Sequence, residues 1–226
     1  SVLESSSVPG TWDVTPGEGG AINITQGATK YSFDPTTGDT IEVAIAGVGE
    51  IVLSSGTYSA EVSALDTPSG IETISGAGNL ALTKLEAVPD ADLSVITTTG
   101  TKTVAVSDNE NVTFTGDLGS GFTTSVGTDS TLRVTATTID GQAISGAGAV
   151  IVSGDLSDDL GVDLSGVTAT GGVTATESAG STFTQDADLG AAVVTITGGI
   201  VDLQAAGVDG VDASTFVVNA GTLVVT

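Results

Sequence analysis

Cysteine, histidine and methionine are all missing from this chain of 226 residues. Each absence excludes something. Without cysteine there is no disulfide framework and no thiolate metal or redox site. Without histidine or cysteine, nucleophilic machinery of the Ser-His-Asp or Cys-His kind cannot be assembled. Without methionine even an initiator is lacking, which predicts a processed chain or a piece of something longer. Basic residues are nearly as scarce. Lys30, Lys84, Lys102 and Arg133 stand against 28 acidic residues, for a formal net charge of -24. Phosphate backbones are bound by clustered Lys and Arg, so nucleic acid is excluded as a partner. Anionic membrane surfaces repel the chain for the same reason. No apolar run approaches the ~18 residues of a membrane helix, and no signal peptide is visible. Aromatic residues make up only 4%. A core must then be built from Val, Ile, Leu and Ala in thin layers, which suits a sandwich or a solenoid better than a bulky α/β core.

What is present is glycine, threonine and aliphatic residues. There are 32 glycines, and the mean hydropathy is +0.35 in spite of the charge. Apolar and polar residues alternate in Ala21-Ile22-Asn23-Ile24-Thr25, Thr103-Val104-Ala105-Val106-Ser107 and Asn111-Val112-Thr113-Phe114-Thr115. A period of two is the mark of a half-buried strand. The runs Thr97-Thr98-Thr99 and Thr135-Ala136-Thr137-Thr138 read as outward strand faces. One helical turn is expected between Leu82 and Leu93, kept short by Pro89.

An internal repeat organises the chain. Ile74-Ser75-Gly76-Ala77-Gly78 recurs verbatim as Ile144-Ser145-Gly146-Ala147-Gly148, a spacing of 70. Downstream, Leu80 and Leu82 match Val150 and Val152, and Asp92-Leu93-Ser94 matches Asp163-Leu164-Ser165. Val104 is set against Val173, and Thr113-Phe114-Thr115 against Thr182-Phe183-Thr184. Inside this block a smaller unit recurs: glycine, then two apolar residues in alternation. It follows Gly20, Gly49, Gly78, Gly148, Gly199 and Gly221, with looser versions near Gly100, Gly127 and Gly171, in steps of 21 to 29 residues. Steps of that length are the coils of a β-solenoid, with glycine taking a φ > 0 corner and the apolar pair pointing inward. One coil cannot bury its face alone, so coils must stack.

The pieces Ile144-Ser145-Gly146-Ala147-Gly148-Ala149-Val150-Ile151-Val152 and Val162-Asp163-Leu164-Ser165-Gly166-Val167-Thr168 resemble repeats of very large bacterial surface proteins: adhesins, S-layer-like proteins and secreted repeat proteins. The likeness covers residues 74–226 best. It implies a secreted architectural or adhesive role, often with bound Ca²⁺. The Gly-Gly-x-Gly-x-Asp nonapeptides of the calcium-binding β-roll family are absent.

Asp155, Asp158, Asp159 and Asp163 form the densest acidic cluster and are the candidate Ca²⁺ ligands. Ca²⁺ takes six to eight oxygens, which close aspartates and backbone carbonyls can supply. The competing reading is a solvated turn in which aspartate caps the backbone. Weaker candidates are Asp108 with Glu110, Asp90 with Asp92, Asp186 with Asp188, and Asp209 with Asp212. A glycosidase would need a carboxylate pair across a cleft, and no pair stands out. Gly76-Ala77-Gly78 is no phosphate loop, since no lysine or helix start follows it.

The sequence therefore predicts an all-β, stacked β-solenoid, with a β-sandwich as the alternative architecture. An N-terminal arm is expected over 1–18, a cap or small β domain over 19–70 and the repetitive region over 71–226. The expected function is non-catalytic. The chain would be an extracellular, self-assembling building block of a surface layer or filament, or an adhesin module, with itself and glycans as partners. A viral tail-fibre module binding glycan and a polysaccharide-cleaving β-helix are the alternatives.

Overall fold

The computed structural model of the protein describes residues 11–16, 22–26, 29–33, 50–53, 57–67, 70–71, 73–159, 161–180, 182–183, 187–203, 208–209 and 215–225. They form an all-β solenoid of about 7 stacked parallel coils, only 11% helical. Strands in consecutive coils pair in parallel and in register, so the separation between paired residues measures the coil. Apart from the pairing of Thr11 with Glu50, a separation of 39, it runs from 18 (Thr131 opposite Ala149) to 25 (Asp163 opposite Asp188). The expected steps of up to 29 depended on Gly20 and Gly49, which lie outside the described residues. The sandwich alternative does not apply.

Two compact units are present: residues 1–104 with 119–122, and residues 105–118 with 123–226. The first opens on an antiparallel meander of Thr11–Pro16, Ile22–Gln26 and Thr29–Phe33. Thr11–Pro16 then pairs in parallel with Glu50–Leu53, which pairs with Thr73–Gly76. Glu50–Leu53, in the segment 19–70, thus stacks in parallel on strands that lie outside that segment, and most of the expected arm 1–18 falls outside the described residues. The second unit carries a ladder of six strands: Asn111–Thr113, Thr131–Val134, Ala149–Asp155, Val173–Glu177, Val193–Ile196 and Thr215–Val218.

Alternation within each strand sends every second side chain inward. In the first unit Leu53, Ile74, Leu80, Leu82 and Val104 are buried; in the second, Leu132, Val150, Val152, Val173 and Val194 are. Each such aliphatic contributes about 1.5–3 kcal/mol by leaving water. Phe114, Phe122 and Phe183 are fully buried and supply most of the bulk that the aliphatics lack.

Of the recurring glycines, Gly199 (φ 64) and Gly221 (φ 88) take the left-handed corner that was expected, and five others have a different cause. Gly78, Gly100, Gly127, Gly148 and Gly171 do not carry a left-handed φ. They are bare because the coils touch there. A Cβ on Gly148 would lie 2.5 Å from the Gly127 carbonyl oxygen, and one on Gly171 2.5 Å from that of Gly148. Gly100 meets the Gly78 carbonyl in the same way. The left-handed corner falls two residues earlier, at Gly76 (φ 101) and Gly146 (φ 114).

The sequence repeat is a structural repeat. Ile74 and Ile144 are both fully buried. Thr97 Oγ1 donates to the Ile74 carbonyl, and Thr168 Oγ1 to that of Ile144, each at 3.5 Å. Thr99 and Thr170 reach Gly76 and Gly146 at 3.4 and 3.3 Å. Asp92 and Asp163 accept from the amides of Ser94 and Ser165 at 3.0 and 2.9 Å. The Phe114 and Phe183 amides both donate to the following coil, at Arg133 and Asp202. One match fails. Val104 lies opposite Leu82, whereas Val173 lies opposite Val150, the counterpart of Leu80. The true counterpart of Val173 is Lys102, which pairs with Leu80.

Local expectations also shift. The turn between Leu82 and Leu93 is the end of the strand Asn79–Thr83 followed by two 3₁₀ turns, Leu85–Ala87 and Leu93–Val95, on either side of Pro89. Residues 135–138 are not a strand face. Thr135 Oγ1 accepts from the Thr138 amide at 3.2 Å and caps a single helical turn, Ala136–Ile139. A hydroxyl placed before a helix start stabilises that start more than a threonine run favours a strand.

Candidate functional site

The polar side chains of this protein are spent largely on its own backbone. Parallel coils leave amides and carbonyls exposed wherever the chain turns a corner, and each needs a partner. Carboxylates and hydroxyls of one coil supply them to the next. Asp108 Oδ1 accepts from the Thr128 amide at 2.7 Å, twenty residues on. Asp140 Oδ1 accepts from the Asp163 amide at 2.7 Å. Ser130 Oγ donates to the Ser107 carbonyl at 2.7 Å and accepts from the Glu110 amide at 3.0 Å.

The four candidate Ca²⁺ ligands are distributed in the same way. Asp155 reaches across to the next coil, where its Oδ1 accepts from the Ser178 amide at 2.9 Å and its Oδ2 from the Ser178 hydroxyl. Asp159 accepts from the Gly161 amide at 3.2 Å, and Asp163 from that of Ser165. Asp158 is exposed. Among the described residues no three acidic side chains converge as a metal-holding group. Of the weaker candidates, Asp188 accepts from the Gly190 amide at 2.9 Å, while Asp186 and Asp212 lie outside the described residues. The backbone-capping reading accounts for the positions of Asp108, Asp155, Asp159, Asp163 and Asp188 alike.

Two charged residues that composition alone did not single out sit on the inner face. Glu177 is fully buried. Its Oε2 accepts from the Ser157 amide at 2.9 Å, one coil back, and its Oε1 from the Ala179 and Gly180 amides at 3.2 and 3.0 Å. One carboxylate therefore satisfies three amides where the chain leaves its strand. Lys102 is 8% exposed; its Nζ donates to the Ile96 carbonyl at 3.3 Å and stands 5.3 Å from the centroid of the Phe122 ring. The signal for both was in the alternation. Val173, Ala175 and Glu177 share one face of a strand, as do Lys102, Val104 and Val106. A charge at an inward position of a period-two pattern is either paired or misplaced. Tyr58 is buried as well, and burial pushes its hydroxyl up to about 12.

Acidic residues also stack in register. Asp163 lies opposite Asp188, and Asp188 opposite Asp209, in successive coils of the second unit. Strand spacing puts such positions about 4.8 Å apart along the ladder. Like charges directly opposite one another destabilise a sheet. Asp188→Asn keeps an acceptor for the Gly190 amide and removes one charge from the column. It is expected to stabilise the protein by about 0.5 kcal/mol, with the gain shrinking as salt screens the column. Thermal melts of the two proteins at low and high NaCl check this. A variant that melts lower than the parent at both would contradict it.

Among the described residues no helix is long and apolar enough to cross a membrane. Comparison with known proteins supplies no relative for this arrangement: no family model, no curated protein and no solved structure matches the chain.

Proposed function

We propose that this protein is a non-catalytic architectural module of an extracellular surface, a self-assembling or adhesive stack of β coils. The observation that supports the reading is the fate of its reactive groups. Carboxylates that would otherwise be available for chemistry, those of Asp108, Asp140, Asp155 and Glu177, hold the backbone of an adjacent coil. A chain that commits its acids to internal joints is built to keep its form. The strongly acidic balance and the lack of cysteine suit a salt-screened exterior in which neither disulfides nor anionic surfaces are used.

Ca²⁺ belongs to this reading as a counter-ion of the acidic turns. A higher melting temperature in CaCl₂ than in NaCl of equal ionic strength is expected, and identical melts would remove it. The reading as a whole is tested on cells that make the protein. Protease added to intact cells should shave it from the surface, and electron micrographs of the purified protein should show ordered assemblies. Protection inside the cell, or release of reducing ends from a neutral polysaccharide, would overturn it.

A further inference from the structure

We propose that Asn111 is the acceptor of an N-linked glycan, attached while the chain is being exported. The proposal deepens the architectural reading and rests on it for passage out of the cell. Its ground in the sequence is Asn111-Val112-Thr113, an Asn-x-Thr acceptor motif. The chain has five asparagines, and only Asn23 and Asn111 are followed two residues later by threonine or serine. The side chain of Asn23 lies outside the described residues.

The structure places this motif on Asn111–Thr113, the first strand of the six-strand ladder. Alternation sends Val112 into the core, 4% exposed, and turns Asn111 and Thr113 outward, both exposed. What the side chains hold separates Asn111 from its fellows. Asn79 is a joint between coils: its Nδ2 donates to the Thr57 hydroxyl at 3.4 Å, and its Oδ1 accepts from the Thr101 amide at 2.8 Å. Asn109 occupies a left-handed turn, with φ 61. The Asn111 carboxamide holds no partner among the described residues, in a protein whose polar side chains are largely committed to its own backbone.

A bulky substituent on Asn111 Nδ2 therefore breaks no bond of the fold and projects into solvent. Val112 is sealed inward once the coil closes, so transfer precedes closure, and the folded protein has only to leave room for the product. In the transfer a bond forms between Asn111 Nδ2 and the anomeric carbon of an oligosaccharide carried on a lipid pyrophosphate. The bond from that carbon to the pyrophosphate oxygen breaks. The lipid pyrophosphate leaves with the electron pair, and the Nδ2 proton passes to a base of the transferring enzyme. Thr113 supplies the hydroxyl by which the motif is recognised.

Trypsin cuts after Lys30, Lys84, Lys102 and Arg133, so peptides 1–30 and 103–133 carry the two motifs separately. Mass spectrometry of protein from the cells that make it is expected to show a sugar-bearing peptide 103–133. Peptide N-glycosidase should convert it to a bare peptide with aspartate in place of Asn111. The same is expected of the full chain secreted from yeast behind a signal peptide. There Asn111→Gln and Thr113→Ala should abolish the modification of this peptide and Thr113→Ser should keep it, while Asn111→Gln melts with the deglycosylated parent. A bare Asn111 from either source overturns the proposal, as does a modification that survives Thr113→Ala. A bare Asn111 on protein that protease shaves from intact cells leaves the architectural reading standing. Sugar on Asn111 of protein that the cells retain supports the proposal and counts against surface placement.

Discussion

Glu177→Ala is expected to be the most damaging single side-chain truncation in the second unit, at about 3–5 kcal/mol. Three amides, those of Ser157, Ala179 and Gly180, lose their acceptor together. A donor left without a partner away from water costs about 1–3 kcal/mol; Glu177 itself is fully buried, with Ser157 and Gly180 half-buried and Ala179 exposed. Removing a buried charge returns part of that cost. The net loss is still a large fraction of the roughly 5–15 kcal/mol that holds an ordinary domain together. Glu177→Gln separates hydrogen bonding from volume. Its carbonyl can keep the Ala179 and Gly180 amides, but its amide group then faces the Ser157 N–H, donor against donor, for an expected loss of about 2 kcal/mol. Asp155→Asn, at a half-buried position, is the comparison. It alters one solvated joint to Ser178 and should change stability by less than about 1 kcal/mol. Urea unfolding of the three variants reads the order directly. A Glu177→Ala protein within about 1 kcal/mol of the parent would mean that the carboxylate is dispensable, and with it the account of the joints.

Gly148→Ala should be as costly for an unrelated reason. The added methyl would lie 2.5 Å from the Gly127 carbonyl oxygen, 2.5 Å from Val126 Cγ1 and 2.7 Å from the Ser130 carbonyl oxygen. Two of these are backbone atoms of the neighbouring coil, fixed by the ladder between Thr123–Val126 and Ala143–Gly146. Relief requires the coils to part, and overpacking of that kind costs about 3 kcal/mol or more. Gly141→Ala is the control. Gly141 has φ 62, and nothing lies within 4 Å of the place its Cβ would take, so only the left-handed backbone is penalised, at about 1–2 kcal/mol. If the two variants unfold at the same urea concentration, conformational freedom rather than close approach explains the glycines, and the stacked-corner description fails.

The architecture was legible because a period of two and a recurring glycine are both direct imprints of a coil. The inward pattern of Lys102–Val106 and Phe122–Val126 follows from alternation alone. The verbatim pentapeptide at Ile74 and Ile144 marks the same corner in each unit. The reason for Gly78, Gly100, Gly127, Gly148 and Gly171 was not legible, because close approach between residues twenty apart leaves no local trace that separates it from a left-handed turn. Glu177 escaped notice for the opposite reason. Its signal was local, an acid on the apolar side of Val173–Glu177, but the dense run from Asp155 to Asp163 is the louder feature. Density of acids marks a turn more readily than a site, since neighbouring aspartates can each cap a nearby amide, as Asp159 and Asp163 do. The helical turn at Ala136–Ile139 was hidden by its threonines, which suit a strand by propensity and a helix start by hydrogen bonding.

The short reach of the pairing has one more consequence. Each strand of the six-strand ladder finds its mate about twenty residues back and asks nothing of sequence further away. Search over so small a span is fast, because closing a loop of that length sacrifices little chain entropy. Ordering can therefore proceed from the first winding to the last while later residues are still arriving. A polypeptide emerging end-first through a narrow opening, with no energy source beyond it, could be drawn into shape by that progression alone.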